Sequence, residues 1–228
     1  QTFPFPTRYT HMAALATAFE WGRLKMQASV LGYFVHEKVE RFEARPDKAV
    51  ATPAFFGSFK VLKNHDLSVR AFYKRMFRMP TFNDLYYTDM GNAFLKPEYA
   101  EQFNVGLKYT RNFEKSPFMR MLDVSVDAYY NKITDKIIAY PKGQQFRWTM
   151  LNLGEVEIKG VDAVLNTQFS LGKLEVTTKF QYTYQKAIDI TDPADTYYRD
   201  QIPYIPWHSG SAILALFYNC LLYTSDAA

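Results

Sequence analysis

Cysteine is almost missing from this chain. Cys220 is the only one, so neither a disulfide framework nor a cysteine metal site can be assembled within it. Long apolar runs are missing too, and without ~18 consecutive apolar residues no helix can span a bilayer. No charged-then-apolar leader opens the sequence, and its start at Gln1 reads as a position inside a longer protein. An excess of one charge sign is also lacking: 27 basic and 23 acidic residues leave a net charge of +4. The basic residues are scattered rather than gathered into a stripe, which argues against a nucleic-acid surface. His11, His36, His65 and His208 lie too far apart to suggest a metal site.

Aromatic residues are plentiful, at 17% of the chain with 17 Tyr and 19 Phe, a loading that favours strands over helices. Alternation confirms the preference. From Tyr9 to Trp21 one face carries Tyr9, His11, Ala13, Leu15, Thr17, Phe19 and Trp21, and the other carries Thr10, Met12, Ala14, Ala16, Ala18 and Glu20. A period of two over that length means a strand. Gly22 offers a tight turn, and a second strand runs from Leu24 to about Lys38. Seven further strands follow, around Phe55–Val61, Leu67–Lys74, Gln102–Tyr109, Leu122–Tyr130, Val156–Ser170, Leu174–Ile190 and Trp207–Tyr218. Ile133 to Tyr140 prolongs the sixth, before a polar loop from Pro141 to Trp148.

The connections between these strands run short, long, short, long through the chain. That order fits one antiparallel up-and-down meander crossing a slab, with trimmed turns on one side and elaborated loops on the other. Alternation alone does not say which face meets water, because a soluble sandwich also alternates. Strand length favours a membrane barrel: several strands keep their pattern well beyond the ~5–6 residues usual in soluble sheets. Aromatics at the ends of apolar faces, such as Tyr9 with Phe19 and Trp21, fit interfacial girdles. Charges of both signs on the polar faces fit a wet or plugged lumen. The expected fold is therefore all-β, part of a transmembrane barrel that does not close on its own. Residues 1–219 are its wall, and 220–228 (CLLYTSDAA) read as an adapter-like, non-native tail.

The stretch Arg78 to Glu98, RMPTFNDLYYTDMGNAFLKPE, breaks the alternation and is expected to form one long loop. Prolines and asparagines there supply rigid turns. Arg78-Met79-Pro80-Thr81-Phe82-Asn83-Asp84-Leu85-Tyr86-Tyr87, then Gly91-Asn92, then Leu95-Lys96-Pro97-Glu98 resembles the C-terminal barrel signature of TonB-dependent outer-membrane receptors. Asp123 to Ile137, Asn152 to Ala163 and Ile202 to Gly210 look like later repeats of that family, with Gly160-Val161-Asp162 where relatives carry Gly-x-Glu. The resemblance implies a 22-stranded outer-membrane barrel of a Gram-negative bacterium, of which this chain supplies about nine strands. It also implies a plug domain, contact with TonB and its inner-membrane energy-coupling complex, surrounding outer-membrane lipid, and a small-molecule or glycan ligand. Siderophore or iron complex, haem, cobalamin and glycan are all open as cargo. No cofactor and no nucleic-acid partner is implied.

Within that frame Arg78, Pro80, Phe82, Asn83, Leu85, Gly91, Asn92, Leu95, Pro97 and Glu98 read as the structural motif. Tyr86, Tyr87 and Asp89 are candidate ligand contacts, with Gln144, Arg147 and Trp148 in the next long loop and Tyr197, Tyr198 and Arg199 in the one after. An aromatic beside a cation or amide can stack on a macrocycle or sugar and still hydrogen-bond it. Catalysis has no support: the pairs Asp123/Asp127 and Asp189/Asp192 lack a nucleophile or phosphate loop, and His208-Ser209 is too little for a barrel hydrolase. A passive porin-like barrel and a soluble β-rich binding module are the alternatives.

Overall fold

The computed structural model describes residues 4–41, 43–62, 66–88, 90–142, 147–202 and 204–218. His65 and the stretch 220–228 lie outside them. Among the described residues the strands are β1 (Pro6–Trp21), β2 (Leu24–Val39), β3 (Lys48–Lys60), β4 (Asp66–Arg78), β5 (Glu98–Asn112), β6 (Met119–Lys142), β7 (Arg147–Leu171), β8 (Leu174–Asp189) and β9 (His208–Tyr218), with one short helix, α1 (Phe82–Tyr86). They form a single nine-stranded sheet in which every strand lies beside its sequence neighbours and pairs with them antiparallel. Even β9, at 11 residues, reaches about 37 Å at a rise of ~3.4 Å per residue, enough to cross a ~25 Å apolar band at ~45° tilt.

Directly paired residues point to the same side of a sheet, so the register assigns each face across all nine strands. One row runs Leu67, Tyr109, Val124, Leu165, Phe180, Ala212, and the row beside it runs Val69, Leu107, Val126, Ala163, Tyr182, Gly210. On the first two strands the same face carries Leu15 opposite Val30 and Phe19 opposite Met26. Leu15 is 74% exposed and Leu214 64%. An apolar band of this extent needs lipid, not water, against it. The described residues form one sheet, not two packed face to face, so the soluble sandwich reading does not hold. No helix among the described residues is long and apolar enough to cross a membrane, a statement that leaves strand crossing untouched.

The opposite face carries the polar row Arg70, Gly106, Asp127, Asp162, Thr183. Arg70 donates to both carboxylate oxygens of Asp127, from Nε at 3.1 Å and Nη2 at 2.5 Å. Thr183 Oγ1 donates to Asp162 at 2.7 Å. Gly106 lies under the Arg70–Asp127 pair, and a Cβ there would sit 2.0 Å from Asp127 Oδ1, so the bridge passes over a position with no room for a side chain.

The buried apolar core lies toward the long-loop end of this inner face, not between two layers. Ala100, Ile133, Val156, Ile158 and Ala187 from four strands meet Ile202 from the β8–β9 connection. Beside them Leu85 and Leu95 of the β4–β5 connection close on Ile137 of β6. The two long connections therefore fold inward over the wall.

Three expectations change. Arg78 to Glu98 is not all loop, because Phe82–Tyr86 form one turn of helix. Its cap is reciprocal: Thr81 Oγ1 accepts from the Asp84 amide at 3.1 Å, and the Thr81 amide donates to Asp84 Oδ2 at 2.8 Å. Pro141 to Trp148 is not a long loop either. The β6–β7 ladder runs out to Lys142 opposite Arg147, so Arg147 and Trp148 are strand residues. The elaboration between these strands is a hairpin of 24- and 25-residue strands rather than a loop. Strand β3 also begins earlier than its aromatic run suggests, because Lys48 to Thr52 pair with Leu31 to Val35.

Candidate functional site

Proline and asparagine bring the β4–β5 connection back on itself, and a set of long-range bonds then holds it over the inner face. At its base the Arg78 guanidinium lies 3.1 Å from Glu98 Oε2, and the Ile137 amide donates to the same carboxylate at 3.0 Å. Asn92 Nδ2 donates to the Met150 carbonyl at 3.0 Å, and the Met150 amide donates to the Met90 carbonyl at 2.9 Å. Asn152 clamps Lys96 from both sides, accepting from its amide at 2.8 Å and donating to its carbonyl at 3.1 Å. Two arginines from earlier in the chain complete the latch. Arg8 donates to the Pro80 carbonyl at 2.7 Å with its guanidinium 4.8 Å from the Phe82 ring centre, and Arg45 donates to the Leu95 carbonyl. Leu85, Leu95, Pro80 and Pro97 are buried as a result. Of the motif residues, Arg78, Asn92 and Glu98 make these bonds, Phe82 lies under Arg8, Gly91 gives its amide to the Tyr87 carbonyl at 2.7 Å, and Asn83 is exposed and gives its carbonyl to the Tyr87 amide.

The candidate contact residues fall on two platforms. Tyr86 is half-buried at the end of α1 against Leu85 and Leu95. Burial, then the nearby Glu37 carboxylate, pushes its phenol above the ordinary value. Tyr87 follows it into solvent at 57% exposure. Trp148 is the second residue of β7, opposite Pro141 and two residues before the Met150 that the β4–β5 connection grips, so Tyr87 and Trp148 sit on structures bonded to each other. Asp89 and Gln144 lie outside the described residues, and for Arg147 only the strand position is described.

Tyr197, Tyr198 and Arg199 occupy the second platform, held by the end of β8. The Tyr198 amide donates to the Asp195 carbonyl at 3.1 Å and the Arg199 amide to the Asp189 carbonyl at 2.7 Å, with Arg199 at φ 68°. Gln201 secures the return, accepting from the Ala187 amide and donating to the Ile205 carbonyl, each at 3.0 Å. Tyr197 is open to solvent. Sequence reasoning passed over Tyr204 and Phe94, which are about nine-tenths exposed in the same two connections. The available signal was an aromatic within a polar, turn-rich stretch.

A single meander of membrane-length strands, an apolar outer face, a bonded polar inner face and inward-folded long connections describe a sector of a barrel with a decorated mouth. The sequence profile of the family described as "TonB dependent receptor-like, beta-barrel" matches residues 14–224. The chain belongs to that family. TonB-dependent receptors are transporters and receptors rather than enzymes, and their barrels sit in the outer membrane of Gram-negative bacteria.

The vitamin B12 transporter BtuB of Vibrio vulnificus is 32% identical over 99 residues, which is 43% of this chain and 14% of that protein. BtuB of Photobacterium profundum is 34% identical over 113 residues, 46% of this chain and 16% of that protein. The chain thus spans a small share of these curated relatives. Among solved structures, the copper transporter OprC superimposes with a TM-score of 0.68 at 18% identity, covering 94% of this chain and 32% of OprC. That likeness concerns the fold.

Proposed function

We propose that residues 1–219 form wall and extracellular loops of a receptor that imports a scarce nutrient across the outer membrane, and that 220–228 are not native to it. A plug domain within the barrel and TonB, driven by the inner-membrane proton gradient, supply the moving part and the energy. Siderophore or iron complex, haem, cobalamin and glycan are the cargo classes. Cobalamin is the first to test, because two curated relatives at 32–34% identity are vitamin B12 transporters. The supporting observation is the inward folding of both long connections, which sets Tyr87, Trp148 and Tyr197 on braced backbone at the loop end of the wall. Rings on such a base stack on a macrocycle with little entropy left to lose. Asp89, Gln144, Tyr86, Arg147, Tyr198 and Arg199 complete the proposed contact set.

Uptake of labelled cyanocobalamin by cells carrying the full-length receptor, with and without a functional TonB, tests this reading. Uptake that requires TonB, and affinity that falls about 5–10-fold in Tyr87→Ala or Tyr197→Ala, are expected. Uptake that persists without TonB would favour a passive pore. Binding of an iron–siderophore complex in place of cobalamin would move the cargo and leave the receptor reading in place.

A further inference from the structure

Strands β4–β8 lie away from the edges of the sheet, and register stacks the side chains of their outer face into rows whose chemistry changes within two residues. Val105, Ala128 and Val161 form an apolar row. One step toward the long loops comes Tyr73, Phe103, Tyr130, Lys159, Lys186, and one step further Arg75, Glu101, Lys132, Glu157. Apolar band, aromatic girdle and charged row follow in the order of hydrocarbon, interface and headgroup, at the loop end of the barrel.

Two hollows occupy these rows. The lower, of about 460 Å³, has Phe103, Val105, Ala128, Tyr130, Val161 and Tyr184 in its lining. The upper, of about 230 Å³, is bounded by Arg75, Tyr99, Glu101, Lys132 and Thr134. Tyr130 and Lys159 link the two levels: the ammonium lies 5.4 Å from the ring centre, and the phenol donates to Glu157 at 3.2 Å. Arg75 stands 5.5 Å over the Tyr99 ring, and its Nε is buried without a hydrogen-bond partner among the described residues. An unmet guanidinium donor beside a hollow suits an anionic acceptor.

The geometry points to a binding site on the outer wall for the phosphorylated, acylated sugar lipid of the outer leaflet. An acyl chain lies in the lower groove, and a headgroup phosphate meets Arg75 and Lys132. The charges alternate along the row, and Lys132 is already 2.9 Å from Glu155. A bare anion would gain little there. A phosphosugar offers both partners, its phosphate accepting from Arg75 and Lys132 and its hydroxyls donating to Glu101. Position selects the leaflet, since the opposite ends of these strands carry only short turns.

The full-length receptor in nanodiscs tests this by native mass spectrometry against three probes: bisphosphorylated lipid A, its dephosphorylated form and phosphatidylethanolamine. The wild-type protein is expected to retain the bisphosphorylated probe at least about 5-fold over either other lipid, a preference lost in Arg75→Gln/Lys132→Gln. Heat-modifiable gel mobility reports that the variant has folded, and single Arg75→Gln replaces the double variant if it has not. A preference that survives substitution, or equal retention of the dephosphorylated probe or of phosphatidylethanolamine, would overturn the proposal. Cargo uptake is a separate readout, so failure here leaves the import reading standing.

Discussion

Gly91 is held where no side chain fits. A Cβ there would lie 2.6 Å from the Tyr87 amide nitrogen and 2.8 Å from the Leu85 carbonyl carbon and oxygen, all backbone atoms that cannot swing aside. Gly91→Ala is expected to cost the loop about 1–3 kcal/mol, comparable to overpacking a core. Faster proteinase K cleavage within residues 79–97 on intact cells is the measurement, and unchanged cleavage would contradict it. Tyr86 offers a pH handle. Its folded pKa is raised above 10.0, so its contribution is whole below that value and is lost as pH climbs through the raised one. Loop protection should therefore fall in alkaline solution above about pH 10, and Tyr86→Phe should remove that step. In the sequence, Gly91 reads as part of the structural motif and Tyr86 as a contact candidate. It could not show that Gly91 is pressed against the end of α1 or that Tyr86 is half-buried, since both facts depend on how the chain returns.

At the scale of elements, α1 is five residues long, too short for a helical period to register, and its signature is only the Thr81 to Asp84 capping box. Thr81→Ala is expected to cost about 1 kcal/mol through the lost cap. Leu85→Ala, which opens a hole among Leu95, Ile137 and Phe82, should cost about 2–5 kcal/mol. Both are read as hydrogen-exchange protection of residues 82–95 in the full-length receptor, with Leu85→Ala the larger effect; the reverse order would show that the cap, not the core, holds the loop. The β6–β7 hairpin was concealed for a different reason. Pro141, Gly143 and a polar run carry turn chemistry, yet the ladder continues to Lys142 and Arg147 because each strand supplies the other's backbone partners. Pairing between strands, not local preference, decides such a segment.

For the whole molecule, the assignment of faces makes a sharp contrast available. Val105 belongs to the apolar outer face and Ser125 to the inner polar one. Val105→Arg is expected to destabilise the receptor by about 2–4 kcal/mol, and Ser125→Arg by much less, because a lumenal side chain keeps its water. Urea unfolding in lipid vesicles measures both, and equal costs would mean that the faces are exchanged. Alternation was enough to determine that this chain makes a meander of long strands, in what order they come and which residues share a side. Those are local properties, imposed by a two-residue period that every strand carries within itself. Tertiary structure alone decided that the long connections fold inward, that Arg8 and Arg45 latch a loop some fifty to seventy residues away, and that Arg70 crosses Gly106 to reach Asp127. Such contacts join residues far apart in the chain, and their partners are chosen by register and closure rather than by any neighbour in sequence.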